Sequence, residues 1–191
     1  MARAKVEGRR EAIMAAAVRV FASGGLEAAT SAISKRAGVA EGTLFTYFRT
    51  KDELVNAVYR VLKAEVADAM MAGFPRRRTV RVRMRHVWDR YVAWGIANPE
   101  KQMVLRRMEV WEGLTKESHK AGAAPFAEIK AMADEAEEQG IMKDQPRRFV
   151  AAAMGSLAEM VMVLARDDPK RADVYREAGF QMLWAGVAVE K

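Results

Sequence analysis

The chain has 191 residues, 51% of them apolar, a net charge of +7, two histidines and no cysteine. That length allows a substantial core, and the missing cysteines exclude disulfides and thiolate metal sites. No apolar run approaches the roughly 20 residues that span a bilayer, and the basic N-terminus MARAKVEGRRE meets acidic residues before any apolar stretch, unlike a secretory signal. These features predict a cytoplasmic protein without a membrane partner.

Nearly every segment carries helical periodicity, so the expected fold is all-α with about nine helices. A first helix is predicted over about Arg9 to Ser23, with Ile13, Ala17, Val20 and Phe21 inward and Gly24-Gly25 as its stop. The next stretch, TSAISKRAGVAEGTLFTYFRTKDEL from Thr30 to Leu54, is the most informative. Ile33 and Ala37 sit at helical spacing before Gly38, a residue that accepts the left-handed conformation that ends a helix. A second short helix then places Leu44 and Phe48 one turn apart, facing inward. Glu41, Gly42, Thr43, Phe45, Thr46 and Tyr47 are left for the outer surface and flanks. Two short helices around a glycine turn are the arrangement that presents a recognition helix to a major groove. Thr50 with Glu53 reads as a capping box for a fourth helix, whose apolar positions recur until Gly73-Phe74-Pro75.

A larger helical region follows. Asn98-Pro99 divides a helix near 78–97 from one near 99–112, with Asn98 expected as N-cap and Pro99 at N1. Residues 113–125 hold Gly113, Gly122 and Pro125 and read as a loop or irregular start. Further helices are expected at about Ala124–Gln139, 146–166 and 169–188. The basic excess is concentrated at residues 76–107, where RRRTVRVRMR supplies much of the charge. Those arginines read as a solvated or salt-bridged face in preference to a nucleic-acid contact, with the acidic run Asp134–Glu138 as one possible partner.

Thr30, Ile33, Ala37-Gly38-Val39, Gly42-Thr43-Leu44, Tyr47-Phe48, Lys51 and Leu54 together resemble the signature of the tetracycline-repressor (TetR) family, over roughly residues 9–60. Three departures stand out: Ala40 where the family usually has a capping serine, Phe45 for a common tyrosine, and Thr46 where a larger aromatic or histidine is frequent. The resemblance implies a DNA-binding domain over residues 1–50, a three-helix unit with a helix-turn-helix. It also implies a helical ligand-binding and dimerisation domain over 51–191.

By that resemblance Glu41, Gly42, Thr43, Phe45 and Thr46 lie nearest the base edges, while Tyr47 and Lys51 contact phosphate. Glu41 suits a cytosine amino group, a threonine methyl suits thymine, and Gly42 lets the backbone approach closely. Thr30 and Ser31, opening the preceding helix, can offer hydroxyls and backbone N–H groups to phosphate. Phe45 fits the motif's small core equally well, and that choice stays open here.

In the second half, Trp88, Tyr91, Met103, Met108, Trp111, Phe126, Met132 and Met154 are candidates to line an adaptable apolar pocket; ordinary core is the competing reading. The resemblance implies a small-molecule inducer there, largely apolar or aromatic. The last two helices are apolar on more than one face and predict a homodimer closed as a four-helix interface, with Gly155 and Ala158 allowing close approach. His86 and His119 have no carboxylate at metal-ligand spacing and read as surface histidines. No phosphate loop, serine elbow or cysteine nucleophile is present, so neither an enzyme nor a bound cofactor or metal is expected. The expected function is a ligand-responsive repressor on a palindromic duplex operator. An activator or ligand-independent regulator of the same fold is the alternative, and a helical small-molecule-binding protein or enzyme a more remote one.

Overall fold

The computed structural model describes residues 2–189. Among these the fold is all-α, with no strand beyond one isolated bridge between Met142 and Ala188. The helices are α1 (Ala2–Gly24), α2 (Thr30–Ala37), α3 (Glu41–Tyr47), α4 (Lys51–Met71) and α5 (Val80–Ala97). They continue with α6 (Pro99–Glu109), α7 (Lys116–Ala123), α8 (Ala127–Glu138), α9 (Arg147–Asp167) and α10 (Ala172–Val187). Short 3-10 turns precede α8 and α10.

Contacts divide the chain into two compact units. One takes the chain up to Glu65 with Pro99–Ala124; the other takes Val66–Asn98 with the chain from Pro125 onward. The backbone passes between them inside α4, at Asn98-Pro99 and again at Ala124-Pro125.

In the first unit α1 packs on α2 and α6, and α2 on α3. Ile13, Ala17, Phe21, Ile33, Leu44, Phe48, Leu54 and Val58 close the core. The expected stop signals operate: Gly25 and Gly38 both take positive φ, and Gly38 donates to the Lys35 carbonyl while Val39 donates to that of Ser34. At the end of α1 the Phe21 carbonyl accepts from the Gly25 N–H (3.0 Å), and the Arg107 guanidinium on α6 donates to Phe21 O and Ala22 O at 2.5 and 3.0 Å. At the start of α4 the Glu53 N–H donates to Thr50 Oγ1 (3.0 Å), while the Glu53 carboxylate accepts from the Arg49 N–H, one residue before the usual capping-box donor. Buried Asn56 fixes the segment before α7, donating to the Asp52 and Gly113 carbonyls and accepting from the Thr115 N–H.

Four local expectations need correction. Helix α1 begins at Ala2 rather than near Arg9, the residues between being mostly good helix formers. Residues 113–125 contain a helix, α7, capped by Thr115 Oγ1 accepting from the Ser118 N–H. Its Gly122 looked like a breaker, but a Cβ there would lie 2.6 Å from the Tyr59 ring, so close packing explains the residue. Asn98 caps the helix behind it instead of the one ahead: its side-chain amide donates to the Trp94 carbonyl at the end of α5. Finally, α9 is long and apolar enough to cross a membrane by length and composition. Counting unbroken apolar runs missed this because isolated polar residues such as Glu159 interrupt them.

In the second unit α9 packs on α5 and α10, and α5 also meets α8 and α10. Trp88 is fully buried in this assembly, its indole N–H donating to the Arg176 carbonyl; a Cβ on Gly179 would approach its ring to 2.7 Å. The basic stretch is largely consumed internally. Arg76 pairs with Glu128, Arg83 with Glu135, and Arg85 with Asp89 and Glu177. The Arg83 hydrogen bond holds the Glu135 carboxyl below its usual range. Arg83–Glu135 is therefore the pairing with the acidic run that the charge pattern suggested. Arg90 donates to the Ala69 carbonyl, and His86 Nε2 lies 3.1 Å from that of Met70, so both serve the carbonyl end of α4. His86, also edge-on to Phe74, is thus half-buried rather than a surface residue. His119 is exposed, beside Tyr59.

Candidate nucleic-acid interface and ligand cavity

Helix α3 spans only seven residues, too few to be stable alone, and tertiary anchoring holds it. Leu44 and Phe48 are 0% and 1% exposed, and they fix the face that looks outward. Glu41, Gly42 and Thr46 are exposed, Thr43 and Tyr47 half-buried, and Phe45 is 41% exposed. The small-core alternative for Phe45 therefore fails: Leu44 and Phe48 already fill that space.

Polar groups on this face are preset by short-range bonds. The Thr30 hydroxyl donates to Glu41 Oε1 at 2.7 Å, tying the start of α2 to the start of α3. The Thr46 hydroxyl donates back to the Gly42 carbonyl, which turns its methyl group away from that bond. Lys51 stands 3.5 Å from Glu27, a loose exposed pair that costs little to exchange for another anion. Ser31, Lys35 and Arg36 are exposed on α2. Ala29 and Ala40, the residues before α2 and α3, cap neither helix with a side chain, so the serine missing at position 40 is not replaced from elsewhere. The Ala32 N–H donates to the Ala29 carbonyl (3.1 Å), which leaves the N–H groups of Thr30 and Ser31 for solvent or for phosphate.

Gly42 is informative because nothing inside the chain needs it. A Cβ there would meet open space, and the backbone is ordinary helix. Glycine inside a helix costs about 0.5–1 kcal/mol relative to alanine. The useful property left is access to the backbone from outside.

The second unit holds an apolar cavity of about 310 Å³ among α5, α8, α9 and the end of α10. Phe126, Met132 and Met154, three of the expected pocket residues, line it together with Val80, Met84, Val87, Ile129, Met142, Val150 and Val187. The other expected residues lie elsewhere. Trp88 is sealed in the α5–α10 seam, and Tyr91 is half-buried outside the cavity. Met103 (43% exposed), Met108 (fully buried) and Trp111 belong to the first unit. Methionine and aromatic content alone did not distinguish core from cavity. The better signal was the helical repeat Phe126, Ile129, Lys130, Ala133, which puts one face of α8 on the cavity. Nothing in the local pattern marked Met142. It is brought in by a backbone tie in which Lys143 N–H donates to the Val187 carbonyl and Val189 N–H to that of Ile141.

Along α9 and α10 a further apolar set faces outward. Phe149, Met160, Val163 and Leu164 on α9, and Val174 and Met182 on α10, are all exposed. Ala158, expected at a dimer contact, is instead fully buried within its own chain, because it lies on the opposite side of α9 with Val161 and Met162.

Residues 13–58 match the model of the family described as bacterial regulatory proteins, tetR family. The HTH-type transcriptional regulator PksA of Bacillus subtilis (strain 168) is 30% identical over 115 residues, which cover 57% of this chain and 51% of that protein. The match thus spans about half the length of that relative. Among solved structures, a TetR family transcription regulator from Marinobacter aquaeolei VT8 superposes with a TM-score of 0.87, at 23% identity, over 98% of this chain and 100% of the other. A TetR-family transcriptional regulator from Haemophilus influenzae Rd gives a TM-score of 0.76 at 19% identity, over 99% and 100% of the two chains.

Proposed function

We propose, from the match of residues 13–58 to the family described as bacterial regulatory proteins, tetR family, that the protein is a ligand-responsive transcriptional repressor acting as a homodimer on a palindromic operator. One observation carries the reading above the others. An anchored seven-residue helix turns Glu41, Gly42, Phe45 and Thr46 outward, with a glycine that the chain itself does not require. Functionally, residues 1–50 bind the duplex, while 51–191 bind the ligand and dimerise. Base edges are met by Glu41, Gly42, Thr43, Phe45 and Thr46; Thr30, Ser31, Tyr47 and Lys51 hold phosphate.

Dimerisation is supported by the exposed apolar set on α9 and α10, which no described residue of the same chain covers. A twofold pairing gives two recognition helices about 34–36 Å apart, one turn of duplex or a multiple of it. The inducer occupies the cavity lined by Phe126, Met132 and Met154. Its effect has a physical route. Val80, Met84 and Val87 of α5 line the cavity, and His86 and Arg90 of the same helix hold the last carbonyls of α4. A ligand that shifts α5 therefore biases α4, the helix that begins at Lys51 beside the recognition motif.

Selection of bound duplexes from genomic DNA tests the first half of this reading. An inverted repeat, bound with an affinity that falls steeply with salt, is the expected result. Salt-insensitive binding, or recovery of no duplex at all, rejects DNA recognition. Binding that no small molecule weakens rejects the inducer and leaves a ligand-independent regulator.

A further inference from the structure

We propose that the ligand of the α5–α8–α9 cavity is an amphipathic anion, with an apolar body in the cavity and its anionic group on Lys130 and Lys143. This rests on the cavity being the inducer site, and it adds a charge to a ligand otherwise described only as apolar. The lining supports it in two parts.

The interior is hydrocarbon and thioether from Val80, Met84, Val87, Phe126, Met132 and Met154. Its volume of about 310 Å³ corresponds to roughly ten water-sized groups, the bulk of a medium-length hydrocarbon chain or a small ring system. The mouth is different. Lys130, Glu137, Lys143, Gln145 and Arg147 also line the cavity, and all of these except Lys130 continue into an adjoining polar recess with Asp144.

Which of these charges are available is set by their pairing. Arg147 is committed, since its guanidinium binds Glu137 at 2.6 and 2.5 Å and also holds Asp134. The same bonds hold the Glu137 carboxyl below its usual range, so that carboxylate is committed too. Among the described residues Lys130 has no carboxylate partner. Lys143 donates one proton to the Ala185 carbonyl at 2.8 Å, in the last turn of α10, which leaves two for another acceptor. The backbone tie between Ile141–Lys143 and Val187–Val189 keeps Lys143 at this end of the cavity. Asp144, in the recess, is the one lining carboxylate outside the Arg147 cluster, so the lining charges, Lys130, Lys143 and Arg147 against Glu137 and Asp144, sum to +1. An apolar cavity with two lysines in its lining that pair with no carboxylate among the described residues favours a ligand with a single anionic end. A neutral hydrocarbon would leave those cations unused, and a cation would be repelled.

Isothermal titration of the full chain with decanoate and with decan-1-ol, which share a body and differ in head charge, tests the assignment. Decanoate should bind roughly tenfold more tightly than decanol, in line with one or two charge-assisted contacts near a surface. The double variant K130M/K143M should lose that preference while still binding decanol, which also shows that the cavity is intact. Equal affinities in the wild type, or a preference that survives in the double variant, would overturn the proposal. Failure of both probes to bind would overturn it as well, together with the cavity as a ligand site. If decanoate binds as expected but leaves a bound duplex in place, the assignment of ligand class stands and the inducer reading falls.

Discussion

The motif from Thr30 to Leu54 and the hairpin of α9 and α10 are built from similar apolar residues under very different constraints. In the motif each apolar side chain has one available role: Ile33, Leu44, Phe48 and Leu54 are buried, and only Phe45 among the large ones is exposed. In the hairpin the same residue types divide three ways. Val161, Met162, Phe180 and Leu183 make core, Val150 and Met154 line a cavity, and Phe149, Met160, Leu164, Val174 and Met182 face outward. A short helix pinned at two points leaves a single outward face, whereas a long apolar helix has surface for several purposes. Mutations should therefore act through folding in the first region and through assembly or ligand in the second.

The largest contrast is between two apolar residues, one enclosed and one exposed. Leu44→Ala should cost about 2–5 kcal/mol, as expected for a fully enclosed leucine. It should lower the thermal midpoint followed by circular dichroism and abolish duplex binding. Met182→Ala should leave the midpoint of dilute protein within about 0.5 kcal/mol of wild type, because that side chain is on the surface of its own chain. An equal loss from both would erase the distinction between the regions.

Assembly comes next. The pair Met160→Glu and Met182→Glu places two carboxylates in the proposed twofold contact, an uncompensated burial worth several kcal/mol. Sedimentation should show folded monomers at micromolar concentration; an unchanged dimer would move the interface off this face.

Smaller effects are expected at the recognition surface, where they separate phosphate contacts from base contacts. Lys51→Ala should weaken specific and random duplexes alike and reduce the salt slope by about 1. Replacing Thr46 should instead shift preference at one base pair by roughly 1–3 kcal/mol. Competition binding on an operator and its point variants distinguishes the two, and a sequence-selective loss from the lysine variant would reassign that residue.

The smallest effect is the pH dependence of the second unit. Arg83 lowers the pKa of Glu135 below 4.5, so its stabilisation is fully present above that value and is lost as pH falls through the lower folded-state pKa. Glu135→Gln should therefore lower stability slightly near neutrality, leave it almost unchanged at the acid end, and so flatten the acid limb of unfolding below about pH 4.5. Unchanged stability at neutral pH together with an unchanged acid limb would contradict the pairing.

Much of this could be read from residue order, because the interactions involved are local. Gly38 as a left-handed stop, Thr50 as a cap, the inward pair Leu44 and Phe48, and the boundaries of α8, α9 and α10 depend on neighbours three or four positions away. The helix at Lys116–Ala123 escaped because Gly122 is explained by Tyr59, more than sixty positions back. Asn98 was assigned to the wrong helix because a cap residue between two helices can serve either, and only the position of the Trp94 carbonyl decides.

The residue pattern by itself determined that this chain is helical and that its third short helix has a polar outward face. Tertiary structure decided which methionines and aromatics surround a cavity, which arginines are already paired, and that Lys130 and Lys143 line that cavity. The physical reason is range: helix caps and amphipathic faces are fixed within a turn of backbone. A cavity and its charges are fixed by packing between segments far apart in sequence, and no local period records that packing.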